Sequence, residues 1–147
     1  MNVIAVVSDT DVAVKWFHAK DEVEVEAARS LVRLFGQRSI SLSVLDLTRY
    51  EVGNAFLRGR IQATAEQTTA VLIALSRICP QVIPTAAQLH DAVRLAEQHG
   101  LTMYDATYAA VARSRGAELA TLDKALLRAG LGRRPSEIVA MVEAGVP

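Results

Sequence analysis

The chain has 147 residues, 51% of them hydrophobic and 5% aromatic, and its 16 Lys+Arg balance 16 Asp+Glu for a formal net charge of 0. This composition suits one globular domain with an Ala-, Val- and Leu-rich core; it leaves no room for two ordinary domains and excludes a disordered chain. The neutral balance gives no polycationic signature of nucleic-acid binding, and a single cysteine, Cys79, excludes an internal disulfide and any CxxC centre.

Residues 3–8, VIAVVS, are apolar and unalternated, as in a strand buried on both faces of a parallel sheet. Asp9 follows, and Asp9, Thr10 or Asp11 is placed to cap a helical VAVKWF. Residues 21–35 read as a helix with acids in its first turns; Glu22, Glu24 and Glu26 are expected to form a solvated charge run. A strand is expected at 39–45, then helices at about 47–57 and 65–78, with Pro80 ending the second. A short strand at 81–83 precedes a helix launched by Pro84 and Thr85 and closed by Gly100. Thr102 caps a helix at 103–114, a strand follows at 117–121, and Asp123 opens a short helix. GLGRRP is a turn, and the segment from Pro135 forms a final short helix or strand. Short strands alternating with longer helices predict a three-layer α/β/α sandwich, one domain over 1–147, with a mostly parallel central sheet.

No apolar run approaches the ~18 residues of a membrane span. The opening MNVIAVVSD is too short and too soon acidic for a signal peptide, so a cytoplasmic protein is expected.

Asp9, Glu51, Asp105 and Asp123 each stand in or beside an apolar segment, where a carboxylate is costly unless compensated. Asp9 and Asp123 each follow a strand, and a parallel sheet brings such endings to one edge. Glu51 lies in LTRYEVGNAFLRG among core positions, with Asn54 one turn ahead on its side, and Gly53 invites close approach of another backbone. Asp105 is the third helical residue after Thr102, so a capping box competes with any site role. Gathered together, these carboxylates repel, and a divalent cation offsets the repulsion; an all-oxygen donor set selects Mg²⁺ or Mn²⁺.

His18, His90 and His99 have neither HExxH nor zinc-finger spacing. The absence of GxxxxGK[ST] and GxGxxG removes a nucleotide cofactor, and the absence of GxSxG removes a serine nucleophile. Arg49, Arg113 and Arg115 flank the acidic helices and are the candidate phosphate contacts. Tyr50 and Tyr104 are expected in core or hydrogen-bonding roles rather than stacked on a base, and Trp16 in the core or against a partner.

VVSDTDVAVKWF around Asp9, YEVGNAF around Glu51, and LTMYDATYAAVARSRGAELATLD with Asp105 and Asp123 resemble, in order and spacing, the PIN domain, specifically the VapC toxins of toxin–antitoxin pairs. The resemblance covers about residues 3–128. It implies a Rossmann-like sheet and an acidic cluster of Asp9, Glu51, Asp105 and Asp123 holding Mg²⁺ or Mn²⁺. It further implies an endoribonuclease acting on structured RNA such as tRNA or rRNA. The family's hydroxyl residue falls on Thr121, and its small polar residue two after the first acid falls on Asp11, where Ser, Thr or Asn is usual. Members commonly form homodimers and are silenced by a cognate antitoxin, for which Trp16, Val32 and Phe35 are candidate groove residues. A non-catalytic PIN scaffold, and a metal-dependent phosphatase or DNA nuclease, are the alternatives.

Overall fold

The computed structural model describes residues 3–145; positions 1–2 and 146–147 of the expected domain lie outside the described residues. The strands are β1 (Ile4–Ser8), β2 (Ile40–Leu45), β3 (Gln81–Val82) and β4 (Glu118–Ala120). The helices are α1 (Thr10–Val14), α2 (Val25–Gly36), α3 (Asp46–Arg58), α4 (Ala65–Ile78), α5 (Ala86–His99), α6 (Met103–Ser114), α7 (Lys124–Arg128) and α8 (Pro135–Glu143).

The sheet order is β3-β2-β1-β4, with every pairing parallel. From β1 the chain builds outward through β2 and β3, then returns to add β4 on the other side. The order therefore reverses between β1 and β4, and the crevice beyond their carboxyl ends is where open α/β sheets bind ligands. Val6, Ile40, Leu42, Val44 and Ala120 face one core with Trp16, Leu31, Leu75 and Ile138. Val7, Leu45 and Leu119 face the other with Tyr108, Leu95 and Leu126. Adjacent strand residues such as Val6 and Val7 thus serve opposite layers, as the two-residue period requires. The expected α/β/α sandwich with a parallel sheet is the observed architecture.

Helix signals in the sequence translate closely. Thr64 and Thr85 form reciprocal capping boxes with Gln67 and Gln88, and Gly100 closes α5 in the left-handed region. Ala106, Ala109 and Ala110 are buried, and their small size lets α6 lie tightly against β1, β4 and α5.

Two expectations fail locally. The segment at 21–24 is not helical: Asp21 and Glu24 take φ of 58° and 56°, and α2 starts at Val25. The cause is Glu22, which is not solvated but 5% exposed at its side chain and bound by Lys15, His18 and Arg60. Glu24 likewise accepts from the Ser136 amide. Gly53 admits no backbone neighbour; a Cβ there would meet only the Leu72 methyls, at 3.6 and 3.9 Å. Among the described residues, no helix is long and apolar enough to cross a membrane.

Candidate active site

The site starts where β1 ends. The Asp9 N–H donates to the Ala120 carbonyl at 2.9 Å, so the last bond of the β1–β4 ladder fixes this residue. Its carboxylate is held at both oxygens: Oδ1 accepts from the Thr10 amide at 2.7 Å as an N-cap, and Oδ2 from the Thr121 hydroxyl at 2.7 Å. Thr121 Oγ1 in turn accepts from the Asp123 amide at 3.0 Å, and Asp123 Oδ2 caps α7 by accepting from Leu126 at 3.0 Å. Asp11, one residue into α1, accepts from the Leu122 amide at 3.1 Å through Oδ2. Its Oδ1 is buried and without a partner.

Glu51 reaches the same place from α3. Its Oε1 accepts from the Thr10 hydroxyl at 2.7 Å and from the Tyr108 phenol at 2.9 Å. Tyr108 is fully buried, and its oxygen lies 2.6 Å from Thr48 Oγ1, which accepts from the Leu45 amide. With the single Tyr108 proton given to Glu51, Thr48 is the donor in that contact. Asp105 enters from the first turn of α6, where Thr102 Oγ1 accepts from its amide at 3.1 Å. The reciprocal half of the expected capping box is not formed, which leaves the Asp105 carboxylate to the cleft.

Asp9, Asp11, Glu51, Asp105 and Asp123 line one cleft of about 580 Å³, together with Lys15, Glu22 and Arg60. Charge couples its walls. Burial raises the Asp9 carboxyl well above its ordinary range, and Asp11 and then Asp105 add to the rise against the bonds from Thr121 and Thr10. Burial likewise pushes Asp11 up to about 6, with Asp123 adding to it and the Leu122 amide and Lys15 opposing. Asp105 is raised by burial, by Asp123 and by Glu51. Carboxylates that raise one another across a shared cleft favour a cation between them.

Among the described residues, however, no three His, Cys, Asp or Glu side chains already stand tightly enough to grip an ion. The expected metal cluster is thus met only as a shared cleft. The donor set still fits a hard divalent cation: every available group is a carboxylate or hydroxyl oxygen, and Asp11 Oδ1 lacks any other partner.

The arginines divide. Arg113 and Arg115 lie at the far end of α6, about 12 Å or more from Asp105 at 1.5 Å per residue. Arg113 lines a separate hollow with Glu118 and Arg133, and neither arginine is among the residues lining the cleft. Arg49 is exposed on α3 with its guanidinium 5.0 Å over the Tyr50 ring. Asn54 is exposed and lines an adjoining groove with Tyr50 and Tyr104. Both tyrosines are exposed, at 66% and 59%, so neither takes a core role, while Tyr50 Oη accepts a hydrogen bond from Arg49 at 3.4 Å. Trp16 is a core residue whose Nε1 donates to the Ala28 carbonyl at 2.9 Å, so it forms no open groove. Val32 and Phe35 pack half-buried against the same core. Cys79 is buried, and burial pushes its thiol up to about 12, as for an inert core cysteine.

Sequence reasoning missed Lys15, Glu22 and Tyr108. The first two are ordinary surface types, at the end of a short helix and in a loop, and no local pattern marks them. Tyr108 carried one usable signal: it lies three residues after Asp105 on an otherwise Ala-rich face, where a lone phenol needs a polar partner.

Residues 6–131 match the PIN domain family. Exonuclease VapC9 of Pyrobaculum aerophilum is 37% identical over 91 residues, which span 58% of this chain and 65% of that protein. Ribonuclease VapC3 of the same organism is 37% identical over 89 residues, spanning 58% and 68%. The match thus extends over about two thirds of these relatives' length. The crystal structure of PAE2754, also from Pyrobaculum aerophilum, superposes with a TM-score of 0.65 at 24% identity, over 97% of this chain and 96% of that one. With its parallel sheet and its acids gathered beyond β1 and β4, the chain belongs to the PIN-domain family and is homologous to the VapC proteins.

Proposed function

We propose that this protein is a Mg²⁺- or Mn²⁺-dependent endoribonuclease that hydrolyses phosphodiester bonds in structured RNA. The observation that carries the reading is the convergence of Asp9, Asp11, Glu51, Asp105 and Asp123 on one cleft at the carboxyl edge of a parallel sheet. Asp9, Asp105, Asp123 and Glu51 are the residues that would hold the ion, with Asp11 beside them. When bound, a divalent ion supplies an activated water at neutral pH and offsets charge on the phosphoryl oxygens.

The chain's own groups do the rest. Thr121 links two of the acids, donating to Asp9 and accepting from the Asp123 amide, so that they hold one relative position. Thr10 and Tyr108 bind Glu51 at Oε1 and leave its other oxygen to the cleft. Lys15 and Arg60 line the same cleft and are the cations best placed to meet a phosphate, although both also bind Glu22. With external water as nucleophile, the products are a 5′-phosphate and a 3′-hydroxyl.

Resemblance to VapC supports a toxin role in the cell, with a cognate antitoxin as inhibitor, a homodimer as the working form and a cytoplasmic location. Calorimetric titration with Mn²⁺ and a panel of RNA, DNA and phosphate monoesters tests the reading. Asp9→Asn and Asp105→Asn are each expected to abolish cleavage while preserving the fold. Cleavage that survives both substitutions, or an RNA product ending in a 2′,3′-cyclic phosphate, contradicts it.

A further inference from the structure

Of the chain's seven aromatics (Phe 3, Tyr 3, Trp 1), Trp16, Phe56 and Tyr108 are buried. Tyr50 and Tyr104 are the two tyrosines that are not, at 66% and 59% exposed. They come from different elements, α3 and the first turn of α6, yet both line one groove of about 420 Å³. Thr10, Glu51 and Ala55 line that groove and also the acidic cleft, so the two spaces share a wall.

We propose that this groove is a nucleobase subsite, in which a base next to the scissile phosphate leaves its stack and packs against Tyr50 and Tyr104. The inference rests on the ribonuclease reading and adds to it where the substrate's base goes. Asp9 is only 6% exposed, so a phosphate must enter deeply to reach it. A nucleotide that enters so far leaves its neighbours, and its base needs a flat apolar surface to offset the lost stacking. The groove offers two phenol rings and the Leu47 side chain, with the Asn54 amide at its edge to donate to and accept from a base. The Arg49 guanidinium lies over the Tyr50 ring, 5.0 Å from its centre. The lining carries a carboxylate, Glu51, and no cation, so it suits a neutral base rather than a second phosphate.

The test uses the full chain with Mn²⁺ and a short single-stranded RNA, followed by the same RNA with an abasic ribose at each position in turn. Tyr50→Leu and Tyr104→Leu keep apolar bulk but remove the ring. Each is expected to raise KM for the intact RNA by about tenfold, the scale of one lost base–aromatic stack, with Mn²⁺ affinity and Tm unchanged. Tyr50→Phe and Tyr104→Phe should keep wild-type KM. At one abasic position the wild type should lose at least that factor, each single leucine variant less than the wild type, and the double variant Tyr50→Leu/Tyr104→Leu nothing further. Leucine variants with wild-type KM, or an abasic series with no such position, overturn the subsite. So do leucine variants that cleave normally but escape inhibition by a protein partner, because the groove then serves that partner. A wild-type protein that binds Mn²⁺ and cleaves RNA while these variants match it loses only the subsite. A wild type that fails to cleave RNA takes down the ribonuclease reading and the subsite together.

Discussion

Glu51 is placed by a chain of hydroxyls rather than by its own helix. Tyr108 Oη sits within 2.9 Å of Glu51 Oε1, 2.8 Å of Thr10 Oγ1 and 2.6 Å of Thr48 Oγ1; Tyr108 and Thr48 are buried, and Thr10 and Glu51 are half-buried at the cleft wall. In such surroundings a phenol remains protonated: burial raises it, and the nearby Glu51 carboxylate raises it further. Tyr108 is therefore a fixed donor, and its removal should act through Glu51. Tyr108→Phe keeps the ring in its core position and deletes both the bond to Glu51 and the one that Thr48 donates. The expected stability cost is about 1–3 kcal/mol, because the buried Thr48 hydroxyl loses its acceptor. Mn²⁺ affinity, read by calorimetry, should fall by roughly tenfold or more, as is usual when the partner of a metal-holding carboxylate is lost. In a Glu51→Gln background the same substitution should change affinity no further, and additive losses in that double mutant argue against the mechanism. Thr121 makes the parallel case on the Asp9 side. A Cβ at Gly132 would lie 2.4 Å from Thr121 Cγ2 and 3.2 Å from the Leu119 carbonyl. Gly132→Ala must displace one of them, so a lower Tm and weaker Mn²⁺ binding are expected together.

At the level of elements, Gly53 in α3 is a different kind of glycine. A Cβ there meets only ordinary contact with Leu72, and the helix gains from losing a flexible residue. Gly53→Ala is expected to stabilise the protein by up to ~1 kcal/mol, visible as a rise in Tm, with cleavage intact. That result would remove the close-approach role which the sequence suggested. The other helices were legible because their signals are local: Thr85 and Thr102 cap where their spacing predicts, and β1 reads as buried because it is. The acids were legible for a related reason. A charge at the end of an apolar strand is conspicuous, and a parallel sheet collects such ends on one edge. What sequence could not show was long-range pairing. Glu22 looked solvated because nothing within its own segment draws it inward; Lys15 and Arg60 do that, and Arg60 lies 38 residues away.

For the whole molecule, the cleft sets a pH dependence whose sign follows from the raised carboxyls. Asp9, Asp11 and Asp105 hold their protons more tightly folded than unfolded, so ionising them opposes folding. For Asp11 the metal-free protein bears this cost in full above about 6, its folded value, and sheds it as pH falls from there toward the ordinary 3.8. Glu22 works in the other direction. Burial opposes its ionisation, but Lys15, Arg60 and His18 outweigh that and hold it below its usual 4.5. Its contribution is present above 4.5 and fades as pH falls through its lower folded value. Stability should therefore rise between about 6 and 4.5 on acidification and turn down below. Differential scanning without metal should give a higher Tm at about pH 5 than at about pH 7.5. Asp11→Asn should flatten that difference. It should also stabilise the metal-free protein at the higher pH by a few kcal/mol at most, since each tenfold gain in proton affinity on folding corresponds to about 1.4 kcal/mol. Saturating Mn²⁺ should reverse the order, because the ion binds ionised carboxylates and stabilises only the folded state. Equal Tm values at both pH values without metal, unchanged by Mn²⁺, would show that these acids share a cleft without sharing a charge.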